Sequence, residues 1–186
     1  MRLVAKLLGL ALICSLLYWA LHIMSEPSVG RVGKPSSRTS DTSDTPATRT
    51  TSNQFVKFQY PAVFQALKPS PPVAPIIAVH DFSKPGVTNS WHLTVQIKQL
   101  ANGSLDDDGT YHMRQSQPDR FTRQDITSNG QSVAIFTDTA TDSGFAQTAY
   151  LQKGSLGAAV TVTGNSGESS NLKQALQTVL DSWQWL

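Results

Sequence analysis

The sequence predicts an α+β domain over residues 54–186, in which an antiparallel sheet of about six to seven strands packs with a mid-domain helix and a C-terminal amphipathic helix. Three observations lead to this prediction. Apolar and polar residues alternate in segments such as 91–98 and 158–163, as in strands that bury one face. Short connections containing glycine separate several segments and favour antiparallel neighbours. Residues 172–183 carry an apolar stripe with helical spacing.

The strands follow from this alternation. In residues 91–98, Trp91, Leu93, Val95 and Ile97 point one way, and polar residues point the other. A first strand is expected at 55–60, where apolar residues alternate until Pro61 ends the run. Five further segments have the same character: 76–82, 121–127, 133–137, 146–152 and 158–163.

Two helices complete the domain. Ser104 is placed as an N-cap with Asp107 three residues later, and acidic residues precede Arg114, so we expect a helix over 105–117 before Pro118. The C-terminal helix should lie on the sheet, because its apolar residues form one stripe: Leu172, Ala175, Leu176, Val179, Leu180 and Trp183.

The N-terminal residues 1–24 are typical of a membrane anchor or uncleaved signal. Arg2 and Lys6 precede an apolar stretch over 7–24, which as a helix would be about 27 Å long and could just cross the hydrocarbon layer of about 30 Å. The two cations predict a cytoplasmic N-terminus and an extracytoplasmic C-terminal domain. A cleaved signal peptide stays open, although Ile23-Met24-Ser25 is a poor cleavage site.

Residues 25–53 are predicted to be a disordered linker. This segment has 13 Ser and Thr among 29 residues and few apolar side chains, so it cannot bury enough surface to order itself. Cys14 is the only cysteine; it lacks the small preceding residue of a lipobox, and its thiol is expected to be buried in the anchor. The domain can therefore form no internal disulfide.

Charge argues against nucleic acid as a partner. Residues 1–53 hold six Lys and Arg against three acidic residues, whereas residues 54–186 hold nine against ten. A phosphate-binding face requires clustered Lys and Arg, and the predicted domain has no such cluster in its sequence.

The pattern Val56-x-Phe58-x-Tyr60-Pro61-x-x-Phe64, the succession of strands and the final Ser182-Trp183-Gln184-Trp185 resemble the PsbP/Mog1 superfamily, which includes membrane-anchored PsbP-related proteins of bacteria. The resemblance covers about residues 54–186. It implies a non-enzymatic binding or assembly module, and the residues that carry the resemblance include no catalytic signature. Phe64 stands where relatives often have Trp, and no residue can be matched to the photosynthetic role of plant members.

The sequence contains two sets of candidate metal ligands. His80-Asp81 and His92 could supply three ligands from adjacent strands, but a solvated position on the polar face of its strand is a sufficient explanation for His92. His112 is the third histidine of the domain. Asp106-Asp107-Asp108-Gly109 could offer oxygen ligands to calcium, but departs from the EF-hand pattern and suits a helix start. We therefore expect no metal and no cofactor.

Other catalytic patterns are weak. Residues 135–140 and Asp142-Ser143-Gly144 resemble aspartic-protease loops, yet both lie in one turn between strands. Asn102-Gly103-Ser104 fits a glycosylation sequon and also suits a turn. The sequence contains no Gly-x-Ser-x-Gly, P-loop, His-Glu-x-x-His or Cys-x-x-Cys motif.

These observations favour a membrane-anchored extracytoplasmic module that is not an enzyme and that binds an envelope protein, a cell-wall component or a small molecule. Its ligand should occupy the groove between sheet and helix, or the loops at one sheet end. Two alternatives stay open. One is a bitopic structural subunit of an envelope secretion or adhesion complex. The other is an extracytoplasmic hydrolase or metal-binding protein using His80, Asp81 or His92.

Overall fold

The computed structural model describes residues 47–86, 91–140 and 144–186, which form ten strands and two α-helices. Strands β1 to β5 are Thr48–Ser52, Val56–Pro61, Gln65–Ala66, Ile76–Ser83 and His92–Gln99. After a 3-10 helix at Leu105–Asp107 come α1, Gly109–Gln115, and strands β6 to β9, Phe121–Ser128, Gln131–Asp138, Gly144–Lys153 and Leu156–Asn165. A second 3-10 helix, Ser166–Glu168, leads into α2, Ser169–Asp181, and β10, Gln184–Trp185.

The strands form two sheets. The larger has seven strands in the order β3-β4-β5-β9-β8-β7-β6, and the smaller has the order β1-β2-β10. Every ladder is antiparallel, as the short connections predicted. The mixed α+β class with its C-terminal helix is confirmed.

Alternation decides which residues form the main core. On one face of the larger sheet, inward residues such as Leu93, Val95 and Val160 are fully buried against α2 and β2. The stripe predicted for α2 is buried as a unit: Leu172, Ala175, Leu176, Val179 and Leu180, followed by Trp183. The packing is close at Gly164, where an added Cβ would lie 2.9 Å from Leu172 Cδ1 and 3.2 Å from Trp91 Cδ1.

The predicted mid-domain helix is divided in two. Asp108 has an extended backbone, with φ of −78° and ψ of 109°, and separates the 3-10 helix from α1. Ser104 caps only the first of these, since its hydroxyl accepts a hydrogen bond from Asp106 N, whereas Asp108 caps α1. The prediction over 105–117 was therefore wrong in its continuity and in its cap, because a second capping side chain lies inside the segment.

The assignment of residues 48–52 to the linker differs from the structure, in which they form β1 and pair with β2 from Thr48 opposite Pro61 to Ser52 opposite Lys57. Threonine is β-branched and suits an extended strand even without burial. The rest of the predicted linker, residues 25–46, and the predicted anchor, residues 1–24, lie outside the described residues. No helix among the described residues is long and apolar enough to span a membrane.

A buried polar network fastens α1 to the second face of the larger sheet. Lys98 Nζ lies 2.6 Å from Asp108 Oδ2, with side chains only 9% and 6% exposed. Thr110 Oγ1 accepts from Lys98 at 3.1 Å and from Tyr150 OH at 3.3 Å, and it donates to Asp108 Oδ1 at 2.6 Å. Arg114 donates in turn to Tyr150 OH.

This network changes two pKa values. Burial alone would raise the pKa of Asp108, but hydrogen bonds from Lys98 and Thr110 and the Lys98 charge outweigh it and hold the pKa below its ordinary value. Burial raises the pKa of Tyr150, which therefore stays a phenol and can donate to Thr110. Around the network, the rings of Tyr111, Phe136 and Tyr150 pack edge to face with one another. Together with Phe121, Ala134 and Ala159 they form a second, smaller core.

We expect Asp108→Ala to lower the free energy of unfolding by about 3–5 kcal/mol, because the Lys98 ammonium would be buried without its partner. The double variant Lys98→Met/Asp108→Ala should lose less, since no charge is then left buried. The contribution of the wild-type carboxylate should be present above about pH 4 and be lost as the pH falls further, because the folded-state pKa is depressed. Urea denaturation at several pH values measures both effects, and equal losses in the single and double variants would contradict the explanation.

We expect Trp183→Ala to cost about 3–5 kcal/mol of folding free energy, because it empties a fully buried site. Trp183→Phe should cost clearly less than Trp183→Ala, because it keeps an aromatic ring and removes an indole N–H that has no hydrogen-bond partner among the described residues. Thermal unfolding of the two variants tests this difference. A phenylalanine variant as unstable as the alanine variant would show that the indole contributes contacts beyond its ring stacking.

Candidate functional site

A polar groove runs between the exposed side of α2 and the outward faces of β1 and β2, and we call it the α2 groove. Its volume is about 780 Å³, within the range of about 300–1,000 Å³ that is usual for ligand sites. Carboxamides and hydroxyls predominate in its lining, which comprises Thr48, Thr50, Lys57, Phe58, Gln59, Gln174, Gln177, Thr178, Asp181, Ser182 and Gln184.

Local periodicity places these side chains. Strand β2 alternates, so Phe58 is buried beneath the α2 groove while Lys57 and Gln59 point outward. Helix α2 turns its apolar stripe to the core and leaves Gln174 and Gln177 exposed on the other side. A strand with period two and a helix with period 3.6 thus expose polar residues toward the same space.

Ser182 holds the two walls together. Its Oγ accepts a hydrogen bond from Gln59 N at 2.8 Å and donates to Thr178 O at 2.8 Å. The first bond joins β2 to the end of α2, across 123 residues of sequence. The width of the α2 groove is therefore set by a bond between its walls.

Charge in the α2 groove is nearly balanced. Lys57 is its cation and Asp181 its anion, and Asp181 Oδ1 already accepts from Gln177 Nε2 at 2.6 Å and from Ser128 Oγ at 2.9 Å. The carboxamides of Gln174 and Gln184 make no side-chain hydrogen bond to other described residues. These exposed amides can therefore bind a ligand without first breaking a bond within the domain.

A second pocket adjoins the α2 groove across Gln184, which lines both. It has a volume of about 420 Å³ and contains the half-buried Trp185, with Asn129, Gln131, Gln152, Lys153 and Trp183; we call it the tryptophan pocket. Trp185 Nε1 donates to Gln131 Oε1 at 2.8 Å, and Asn129 Nδ2 donates to Trp183 O at 2.7 Å. The positive φ angles of Asn129 and Gly130, 47° and 75°, form the tight hairpin turn that brings this edge close.

The proposed metal ligands His80, Asp81 and His92 do not converge. His80 lies opposite Val95 and points to the main core, where it packs edge to face against Phe58 at 5.5 Å, whereas Asp81 and His92 alternate to the other face of the sheet. Within the described residues, no group of three His, Cys, Asp or Glu side chains is placed to hold a metal ion.

His80 has a structural partner instead. Asn53 Oδ1 accepts hydrogen bonds from Phe55 N at 2.8 Å and Val56 N at 3.0 Å, so its Nδ2 donates to His80 Nε2 at 2.8 Å. This bond requires the unprotonated ring nitrogen as acceptor. Burial lowers the pKa of His80, and the opposing charge of Asp81 compensates only in part. The neutral imidazole therefore helps hold the β1–β2 hairpin against β4.

Two residues of the acidic run before α1 also make hydrogen bonds within the domain. Asp108 pairs with Lys98, and Asp107 accepts hydrogen bonds from Asn102 N and Nδ2 at 3.1 and 3.2 Å. Asn102, the predicted sequon residue, is exposed, and Gly103 next to it has a φ of 74° in a turn. These contacts explain the run as capping and turn chemistry.

Asp138, from the segment compared with protease loops, forms an ion pair with Arg120 at 3.0 Å. The hydrogen bond from Arg120 lowers the pKa of Asp138, which is the reverse of a carboxyl group that must hold a proton for catalysis. Asp142 and Ser143, the other part of this candidate, lie outside the described residues.

A groove does lie between α2 and a sheet, although its wall comes from the smaller sheet and no lining residue was identified from sequence. That a ligand binds there stays a prediction. The available signal was the polar side of the C-terminal helix, which looks the same as a helix face exposed to solvent. The three short or polar strands β1, β3 and β10 were missed altogether, and two of them belong to the sheet that borders the α2 groove.

Comparison with known proteins identifies the fold. No protein-family model and no curated protein matches the sequence. Among solved structures, the cyanobacterial PsbP protein CyanoP from Synechocystis sp. PCC 6803 is similar, with a TM-score of 0.56 and 13% identity, over 86% of this chain and 98% of that one.

Two other solved structures are more distant. A Bacteroides thetaiotaomicron protein has a TM-score of 0.42 and 10% identity, over 70% of this chain and 45% of its own. The protein of unknown function PA94 from Pseudomonas aeruginosa has a TM-score of 0.42 and 11% identity, over 71% of this chain and 95% of its own. The likeness to CyanoP confirms the resemblance read from the sequence: the described domain has a PsbP-like fold.

Proposed function

We propose that this protein is a membrane-anchored, extracytoplasmic and non-enzymatic binding module that holds its partner in the α2 groove. The observation that carries the proposal is the α2 groove itself, a cleft of about 780 Å³ in which exposed carboxamides of Gln174 and Gln184 have no partner within the described domain. The PsbP-like fold is consistent with a binding or assembly module.

The dispersal of reactive side chains supports a binding role over catalysis. Catalysis by acid, base or nucleophile needs at least two such groups within hydrogen-bonding reach of one reacting atom. The α2 groove offers one carboxylate, Asp181, and one ammonium, Lys57, among amides and hydroxyls. His80 does not line the α2 groove; it is bonded to Asn53 and packed on Phe58.

The location is the part of the proposal that depends on residues 7–24. Their apolar character and the preceding Arg2 and Lys6 support a span with the C-terminal domain outside the cytoplasm. A bitopic subunit of a secretion or adhesion complex would share this topology. Purification in mild detergent separates the two functions, because such a subunit would copurify in a stoichiometric multiprotein complex.

We expect a reporter fused after Leu186 to be extracytoplasmic, since the positive residues before the apolar stretch retain the N-terminus inside. Protease added to intact cells should then remove the fused domain. A cytosolic protein expressed in the same cells serves as the control for lysis. A reporter that is protected until the cells are broken would contradict the proposed location.

We expect a photo-crosslinking amino acid at Gln177 to form adducts in intact cells, because this exposed side chain lines the α2 groove. The matched control is the same substitution at Gln115, which is also exposed but lies on α1, over the opposite face of the larger sheet. Gel mobility and mass analysis identify the adducts. Adducts of equal yield at both positions, or none at Gln177, would exclude the α2 groove as the binding surface.

A further inference from the structure

We infer that the ligand of the α2 groove is a neutral glycan whose sugars carry acetamido groups, and that it continues across Gln184 into the tryptophan pocket. This inference rests on the proposed function, since it names the ligand of the same groove. It starts from the chemistry of the lining. Four carboxamides face one cleft, from Gln59, Gln174, Gln177 and Gln184, together with the hydroxyls of Thr48, Thr50, Thr178 and Ser182.

A carboxamide has two donor hydrogens and an acceptor oxygen in one plane. An acetamido group presents one N–H and one C=O, so a glutamine can bind it reciprocally, and sugar hydroxyls can pair with the remaining donors and acceptors. Gln174 and Gln184 have no side-chain partner among the described residues and are exposed. They are free to make such bonds at little cost.

The lining disfavours a protein or peptide as ligand. Protein interfaces depend on apolar and aromatic anchors that fill pockets at the centre of the contact. The one large apolar residue in the α2 groove is Phe58, and its side chain is fully buried and covered by the polar lining. Within the α2 groove a protein partner would find mainly hydrogen-bonding side chains and no large exposed apolar side chain, and the aromatic surface beside it is the single half-buried Trp185.

The charge pattern disfavours a charged polymer. Lys57 and Asp181 are on the same groove, and Lys153 in the tryptophan pocket adds one further cation. A polyanion requires a row of cations with no carboxylate among them, and its binding falls steeply with salt. Asp181 also accepts hydrogen bonds from Gln177 and Ser128, which hold its carboxylate in place at the α2 groove.

Trp185 supplies the contact that amides cannot make. The faces of a pyranose ring carry C–H groups, which are apolar and pack on a flat aromatic surface. Trp185 is half-buried, and its Nε1 bonds to Gln131 while its ring meets Trp183 edge to face at 5.4 Å, so its orientation is fixed. Gln184 precedes it in β10 and lines both cavities, so the two cavities adjoin at this residue.

The test uses the full chain in mild detergent and a hexamer of β-1,4-linked N-acetylglucosamine as probe, followed by tryptophan fluorescence and by calorimetry. We expect saturable binding whose dissociation constant changes little between about 50 and 500 mM salt, a range over which the screening of charges increases strongly. The reason is that the ligand is uncharged. Of the described tryptophans, Trp91 and Trp183 are buried and Trp185 is half-buried, so Trp185 should report the binding.

The variants locate the ligand. Gln174→Ala and Gln184→Ala should each weaken binding about 3- to 10-fold, as expected for the loss of one or two neutral hydrogen bonds. Trp185→Phe should remove the fluorescence change but keep calorimetric binding, and Trp185→Ala should weaken binding at least about 10-fold because the stacking surface is lost. Gln115→Ala on α1 is the matched control and should bind like the wild type. Circular dichroism establishes that each variant is folded.

Three results would overturn the inference: no saturable binding of the hexamer, binding that is unchanged in both glutamine variants, or displacement of the hexamer by dextran sulfate with a steep dependence on salt. Its failure is distinct from failure of the proposed function. If Gln177 crosslinks to a protein and the hexamer does not bind, the α2 groove remains a binding surface and only the glycan is wrong. If Gln177 forms no adduct at all, both fail.

Discussion

The stack of Phe58 on Trp183 is the contact on which the rest of the domain depends. The two rings are 5.6 Å apart and inclined by 12°, and both are almost completely buried. Phe58 comes from β2, near one end of the described chain, and Trp183 follows α2, near the other. The α2 groove lies over this stack, with Gln59 and Ser182 bonded at its base. The candidate site therefore forms only after the two ends of the domain have met. Contacts between residues so far apart in sequence form slowly during folding.

The sequence predicted those elements in which one face is buried, because their apolar residues then recur at a regular spacing. Strand β5 alternates because Leu93, Val95 and Ile97 are fully buried, and α2 repeats every three to four residues for the same reason. Strand β1 has no buried residue, and β3 and β10 have two residues each, so no period can mark them. Each of these strands is placed by backbone hydrogen bonds to a neighbouring strand. The residues of the short strand alone do not indicate which strand that neighbour is.

The polar interior was unpredictable for a related reason. Lys98 lies on the polar face of β5 by alternation and was expected in solvent, yet α1 covers it and Asp108 neutralises it. Likewise, Gln177 and Gln184 are indistinguishable in sequence from residues on a solvated surface. What makes them part of a site is that α2 and β10 expose them toward one cleft. The approximate place of the site, between helix and sheet, followed from the elements, whereas its residues required the packing.

Three of the ionisable groups with displaced pKa values lie in contacts within the scaffold and not in the α2 groove. Asp108 is bound to Lys98, Asp138 to Arg120, and His80 to Asn53, and each contact fastens one element to another. None of these groups lines the α2 groove. An enzyme places its perturbed groups where the substrate binds, because the perturbation is what makes them reactive. Here Asp108, Asp138 and His80 stabilise the scaffold instead, and the α2 groove is lined by amides and hydroxyls together with Lys57 and Asp181, which can orient a ligand by hydrogen bonds.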